Sequence, residues 1–387
     1  MNSIILSKIF VDFFWEFKFL NVLFTSACVL LFVFMFVRRK RSFKIIKADI
    51  FIFIFLLISF YSILISTNFE RGILDFLKIV PLFFMYGLGR LWGKEKNAEI
   101  DKIAYVGVGL FFIWVVFSQI GIGYLNWGVV KTFVGGYYFK TDFAISVLIF
   151  LIFICFSNIK NQIKYICLFL SVFLVFLANS RISIPLVFLI YILSVIDINK
   201  FYLNIGRSFT YLVFFGISLI FLLSLIDFTK FGMIGFDLKD PFSESSTQGR
   251  SQIWAAVIEF YNNSSLGSKI FGSGMAADLM ASAKYAELDR FEGSRAHNSY
   301  LWLIVCMGWA GLISLLLFFW FVIVEISWKI KQGYFFNKRF TIFAAFLMVF
   351  FIMSISVEVI IRTQFTYFLF LYAGLCCNRQ NLVRLSK

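Results

Sequence analysis

The chain alternates apolar runs of about twenty residues with short polar breaks. The run "FLNVLFTSACVLLFVFMFV" (Phe19–Val37) has the length needed to cross a bilayer core. Similar runs predict membrane helices near 19–37, 48–66, 73–93, 103–125, 143–159, 165–179, 182–196, 209–226, 300–324, 340–360 and 365–377. The stretch 4–18 is either a further short helix or an interfacial one, because Asp12, Glu16 and Lys18 interrupt it. The first long run lacks a small-residue cleavage site and is expected to be retained. The fold class expected is all-α: a polytopic integral membrane protein of about 11–12 transmembrane helices, forming one domain over 1–387.

The pattern changes between 227 and 299, which reads as one large outer loop. Within it, "QGRSQIWAAVIEFY" (Gln248–Tyr261) places Ile253, Trp254, Val257, Ile258 and Tyr261 at helical spacing, predicting an amphipathic helix. The segment that follows, from Gly267, reads as a glycine-punctuated turn and then a second helical stretch. A loop this long is usually functional or disordered, and its aromatic content and periodicity favour function.

Composition agrees with the pattern. Hydrophobic residues make up 61% of the chain and the mean hydropathy is +0.90, above the soluble range. The formal charge of +15 would suit nucleic acid, but its distribution gives a topology instead. One alternate set of connections, among them 38–47, 160–164 and 329–339, carries twenty Lys and Arg. The other set carries five: Arg71, Lys131, Lys140, Arg181 and Arg362. The basic set belongs in the cytoplasm, which leaves 227–299 outside, in the periplasm of a cell with two membranes. No nucleic-acid partner is needed to explain the charge.

This assignment requires a hairpin at "NSR" (Asn179–Arg181). A single helix over 165–196 would be about 48 Å long against a core of about 30 Å. It would also place Arg181 in hydrocarbon, at about 3 kcal/mol.

Candidate chemistry lies on the outer face. Arg181 sits in the hairpin turn; it is either a snorkelling interfacial residue or a site residue, the default for arginine at membrane depth. Arg250 opens the amphipathic helix, where free N–H groups and the helix dipole favour an anion; the plainer reading is a solvated loop residue. His297 is the only histidine. It precedes an apolar helix that Asn298 or Ser299 would cap, and it is either an interfacial polar residue or a proton-transfer group. Arg290 and Arg295 lie just upstream. Arginine forks suit phosphate oxygens, so a substrate both membrane-embedded and anionic is a lipid phosphate or lipid diphosphate. "GSKIFGSG" (Gly267–Gly274) lacks the G-K-[ST] ending of a P-loop and reads as turns. Asp278, Glu287, Asp289, Glu292 and Glu358 show no metal-type pairing and are expected to be mostly solvated, with Glu292 or Glu358 as candidates to orient His297 or an arginine. The six cysteines lie in apolar runs without zinc-type spacing. No metal and no cofactor are expected.

The order of motifs resembles the bacterial O-antigen ligase and polymerase superfamily. These are Ser180-Arg181 in an outer hairpin, Gly249-Arg250 with Trp254, Gly272-Ser273-Gly274, His297-Asn298 with Tyr300-Leu301, and Gly308 with Gly311. The motif match spans about 180–315. Many ligases of that family carry G-x-x-x-N-P-N in the preceding outer loop; here "GGYYFKTDFA" (Gly135–Ala144) stands instead, which puts acceptor recognition in question.

The resemblance implies a metal-independent membrane glycosyltransferase of the bacterial inner membrane, with its site on the periplasmic face. The donor would be an undecaprenyl-diphosphate-linked oligosaccharide, and a chain-length-regulating membrane protein would be a further partner beside membrane lipid. Arg181 and Arg250 would hold the diphosphate with help from Arg295 and Arg290, and His297 would take the acceptor proton. Glu292, Glu358, Asn298 and Tyr300 are candidates for orienting or acceptor-side roles. The short, Phe- and Ile-rich chain and its departure from the ligase loop favour a polymerase; a ligase using lipid A core as acceptor is the alternative. A flippase is the alternative from another class, but it should show charges within several helices and repeats. Here the charges cluster at one face, and no fixed-period repeat is present.

Overall fold

The computed structural model describes residues 2–14, 17–39, 44–92, 98–127, 130–195, 250–285, 294–332 and 338–378. Among them are fourteen α-helices: α1 (Asn2–Phe13), α2 (Lys18–Arg39), α3 (Lys47–Leu64), α4 (Phe69–Leu91), α5 (Ala98–Gln119), α6 (Lys140–Phe156), α7 (Asn161–Leu177), α8 (Ser183–Val195), α9 (Arg250–Asn262), α10 (Leu266–Phe271), α11 (Ala277–Tyr285), α12 (Ser299–Lys331), α13 (Lys338–Met353) and α14 (Thr363–Cys377). Five are long and apolar enough to cross a bilayer: α2, α3, α4, α5 and α12. Shorter apolar helices include α7, α8 and α14. The protein is an all-α polytopic membrane protein. The expected helix at 209–226 lies outside the described residues.

Two helices form the centre. From Phe143 to Phe156 every residue of α6 is buried, and so is every residue of α14 from Gln364 to Cys377. Helices apolar all round belong in such a position. By contrast α2, at the periphery, exposes most of its surface. Helix α14 meets α4 backbone to backbone: a Cβ on Gly374 would lie 2.0 Å from the Tyr86 carbonyl oxygen, and one on Gly89 would lie 2.2 Å from that of Leu371. Small residues give membrane helices this closeness, where water supplies no driving force between them.

The ends on the basic side are tied by charge. Arg90 donates to both carboxylate oxygens of Asp49 (3.0 and 2.9 Å), to the Lys44 carbonyl (2.7 Å) and to the Cys377 carbonyl. Lys329 reaches the carbonyls of Cys376 and of Asn378 (3.0 Å). Both cations therefore satisfy carbonyls at the C-terminal end of α14, where the helix dipole favours positive charge. At the other end of the chain, Lys8 of α1 pairs with Asp12 and lies 4.9 Å from the centre of the Tyr367 ring.

Three expected helices are redrawn. The one placed at 103–125 ends at Gln119, because Gly121 and Gly123 turn the chain with φ of 79° and 82°. A short antiparallel hairpin follows, β1 (Tyr124–Trp127) and β2 (Val130–Phe133), with Tyr124 opposite Phe133 and Asn126 opposite Lys131. The helix placed at 340–360 stops at Met353; turns and a short 3-10 helix, Val359–Ile361, carry the chain to α14. The helix placed at 300–324 runs from Ser299 to Lys331 but breaks at Gly308, whose backbone is non-helical (φ 67°, ψ −174°).

The break explains the glycine motifs. A Cβ on Gly308 would lie 2.2 Å from the Ile270 carbonyl oxygen, and one on Gly272 (φ 89°) would lie 2.2 Å from that of Cys306. The Gly272–Gly274 segment is pressed into the broken helix. It repairs the hydrogen bonding there: Ser273 N–H donates to the Val305 carbonyl (2.8 Å), and Ser62 Oγ donates to that of Cys306 (2.5 Å). Backbone groups freed at membrane depth require such partners. "GSKIF", expected as a turn, is the short helix α10 that leads into this plug.

Gly272→Ala should therefore destabilise the protein, by at least the roughly 1–3 kcal/mol of a strained backbone, with the carbonyl clash added. Gly267→Ala is the control, since its Cβ would meet only Ser265 Oγ at 3.9 Å. Melting in detergent should fall clearly for the first and little for the second.

Candidate functional site

The site is built by four segments at one end of the helices. The first is the turn between α7 and α8. Asn179 takes a left-handed conformation (φ 50°), Ser180 Oγ and Ser183 Oγ are 2.8 Å apart, and Arg181 sits between them. Its Nε, Nη1 and Nη2 are all buried and have no hydrogen-bond partner among the described residues. A guanidinium has five donors in a fixed fork, and burying it unpaired is costly. Burial first, and Arg250 second, pull its pKa below the ordinary arginine value.

Arg250 is the second component. It opens α9, whose inner face is Ile253, Ala256 and Val257. Trp254 fixes the helix by donating from Nε1 to the Ala296 carbonyl (2.7 Å). Ile258, expected on the apolar face, is exposed. Arg250 Nη1 donates to the Ser356 carbonyl (2.7 Å). Burial lowers its pKa, while the charge of Glu358 works the other way.

The third component is the entry to α12. His297 holds a left-handed backbone (φ 49°), which histidine tolerates better than most side chains. Asn298 caps the helix: its Oδ1 accepts from the N–H of Tyr300 (2.9 Å) and of Leu301 (3.0 Å), and its Nδ2 donates to the Ile355 carbonyl (3.0 Å). Ser299 N–H donates to the Ser354 carbonyl (2.8 Å), Ser299 Oγ to that of Val357 (2.9 Å) and Tyr300 OH to that of Phe351 (2.8 Å). Asn298 and Ser299 thus fasten the α12 entry onto the stretch after α13, and Tyr300 fastens it onto the last turn of α13.

That stretch, 354–362, is the fourth component. Glu358 is only 2% exposed. One of its oxygens accepts the His297 backbone N–H, and the other lies 3.5 Å from His297 Nδ1. The histidine side chain remains 38% exposed. Burial alone would raise the Glu358 carboxyl, but the hydrogen bond and charge of His297, with Arg362 behind it, bring it down to about 2. Arg362 donates to Asp142 (3.0 Å) and lies over the Phe139 ring, 5.4 Å from its centre.

Arg181, Arg250, His297 and Glu358 therefore converge. Arg295 goes elsewhere. Its Nη1 and Nη2 donate to the two oxygens of the fully buried Asp75 (2.7 and 3.0 Å), and Nη1 also lies 3.2 Å from Asp278. Burial opposes its charge, but Asp278 and Asp75 raise its pKa above the ordinary value. Asp278, expected to be solvated, is fully buried. Burial lifts it to about 6 against the pull of Arg295. Arg290 and Glu292 lie outside the described residues.

Sequence reading missed Ser356, the pairing of Arg362 with Asp142, and the part played by Asp75. A signal was present for one of them: Glu358 and Arg362 fall in a stretch that a membrane helix would carry only at about 3 kcal/mol per charge, so a helix should not have been extended over Glu358. Among the described residues no group of His, Cys, Asp and Glu is arranged to hold a metal ion.

A multi-pass membrane protein with cations gathered at one end of its helices, beside a histidine held by a buried carboxylate, is the class this geometry defines. The model of the O-antigen ligase family matches residues 166–316, from α7 into the first half of α12, and supports the O-antigen ligase and polymerase superfamily. Arg181, Arg250, Arg295 and His297 lie inside the match, and Glu358 lies beyond it. Members of that family are membrane glycosyltransferase-like enzymes. No curated protein shows a significant match to the chain.

The depressed pKa of Glu358 has a definite sign. The stability it contributes is complete above the ordinary glutamate value near 4.5 and is lost as pH falls toward about 2. Glu358→Gln should melt lower than the wild type at pH 6, and the gap should narrow from pH 5 to pH 3. A gap that stays constant with pH would show that the carboxylate charge is not what holds His297.

Proposed function

We propose that the protein is an O-antigen polymerase. It transfers a glycan from an undecaprenyl-diphosphate donor to a sugar hydroxyl of another lipid-linked repeat unit, at the periplasmic face of the inner membrane. The observation that carries this reading is Arg181: a buried guanidinium with no hydrogen-bond partner among the described residues, close enough to Arg250 for the two charges to repel. Two such forks suit a diphosphate at the membrane boundary.

The chemistry follows from the arrangement. The acceptor hydroxyl oxygen attacks the anomeric carbon of the donor sugar, and the bond from that carbon to the diphosphate oxygen breaks. The electron pair leaves with the diphosphate, which gains one negative charge, and Arg181 and Arg250 face that charge as it develops. The acceptor proton passes to His297. Glu358 occupies the Nδ1 side of the ring, so Nε2 is the nitrogen offered to the hydroxyl, and the carboxylate stabilises the imidazolium that forms. Asn298 and Tyr300 position the histidine through backbone contacts. Arg295, engaged by Asp75 and Asp278, acts as a strut under the α12 entry, supporting the donor site rather than holding the phosphates.

A ligase that uses lipid A core as acceptor is the second reading, favoured by the description of the matching family itself. Both use the same donor site.

Purified protein in detergent, given a lipid-diphosphate-linked repeat unit, should build a glycan ladder on a gel. His297→Ala should slow it by about 10²–10⁴-fold, and Arg181→Ala or Arg250→Ala by about 10²–10³-fold, with melting little changed in Arg181→Ala. Transfer only to added lipid A core would replace the polymerase with the ligase. No transfer to either acceptor by folded protein would overturn both and favour a flippase.

A further inference from the structure

The backbone that delivers His297 is held residue by residue, and helix α11 does much of the holding from one face. Asp278 and Ser282 lie one turn apart on that helix, so their side chains leave it on the same side, and both are fully buried. Ser282 Oγ accepts the Ser294 N–H (2.7 Å) and donates to the Ser294 carbonyl (2.7 Å). Asp278 Oδ1 lies 3.2 Å from Arg295 Nη1, and Oδ2 accepts the Ala296 N–H (3.2 Å). Two residues of one helix thus fix Ser294, Arg295 and Ala296 in succession.

Ala296 is also fully buried. While Asp278 takes its N–H, its carbonyl accepts from Trp254 Nε1 (2.7 Å). Trp254 is one turn along α9 from Arg250, so this residue ties the histidine to the helix that carries the arginine. The next backbone donor, the His297 N–H, goes to Glu358. Between these ties His297 stands at φ 49°. A residue other than glycine keeps such a conformation only where its surroundings over-determine it, and here α11, α9 and the 354–362 stretch do so together. A buried carboxylate is a poor route to stability, since a well-packed apolar side chain of similar volume often serves as well. What Asp278 adds is direction: one oxygen faces the Arg295 side chain and the other the backbone next to the histidine.

We propose that Asp278 and Ser282 are positioning residues for the transfer step: α11 is a template that sets the 294–296 backbone and so aims the His297 ring at a fixed separation from Arg250. The proposal rests on the reading that His297 takes the acceptor proton. Proton transfer needs the ring nitrogen within hydrogen-bond reach of the hydroxyl, and a misplacement of about 1 Å can cost about 10²-fold in rate. Both residues act through the histidine.

The chain has one histidine, so full-length protein without a histidine tag, grown on isotope-labelled histidine and held in detergent, gives the NMR signals of a single imidazole. Asp278→Asn and Ser282→Ala should each shift or split those signals. Asp101→Asn, whose carboxylate meets Asn158 instead, should leave them as in the wild type. With a lipid-diphosphate-linked repeat unit as substrate, Asp278→Asn should lower kcat about tenfold to a hundredfold at unchanged donor KM. It should slow His297→Ala little further, because a residue acting through the histidine then has nothing to act on. Unchanged imidazole signals in both variants overturn the proposal. So does equal slowing with and without His297, the result of a merely structural role. If Asp278→Asn does not fold, Ser282→Ala carries both measurements. Slowed transfer in His297→Ala beside undisturbed imidazole signals leaves the proton-transfer reading standing and removes only the positioning role, whereas wild-type transfer in His297→Ala removes both.

Discussion

Glu358 sits 2% exposed at one end of the bundle, where a carboxylate survives only if its charge is met. It is met by the His297 backbone and ring, with the charges of Arg250 and Arg362 nearby. Around it, the 351–358 stretch accepts hydrogen bonds from Arg250, Asn298, Ser299 and Tyr300. Helix α9, the entry to α12 and the start of α14 are therefore positioned by one short segment. The histidine cannot be placed independently of the arginine beside it.

The arginines at this end of the bundle divide by what meets their charge. Arg295 is gripped by two buried carboxylates and Arg362 by one, and each gives up its freedom to hold the scaffold. Among the described residues Arg181 has no such partner. Guanidinium groups met by carboxylates build the frame.

Rigidity comes from backbone contact as much as from charge. At Gly308 the helix breaks, and Gly272 closes the gap, so that the segment carrying α9 to α11 is keyed into a membrane helix. At Gly89 and Gly374 two helices touch directly. These contacts hold helix ends at fixed separations, as a site made of side chains from several distant segments requires.

Much of this was legible along the chain. The bilayer's thickness limits how long an apolar run can be, so the α7–α8 hairpin, with Arg181 in its turn, followed from length and charge. The α9 periodicity, its start at Arg250, and the boundary at His297 also showed, because polar residues punctuate apolar helices locally. What the chain could not display is which charge meets which. Arg295 finds Asp75 across 220 positions, and Arg362 finds Asp142 across as many; nothing in either neighbourhood distinguishes a strut from a ligand-binding residue. The break at Gly308 was hidden for the same reason, since its freed carbonyls are satisfied only when Ser62 and Ser273 arrive. Hydrophobic periodicity is a local property and fixes the helices, whereas the pairing of buried charges and freed backbone groups is non-local and is settled only when the helices pack.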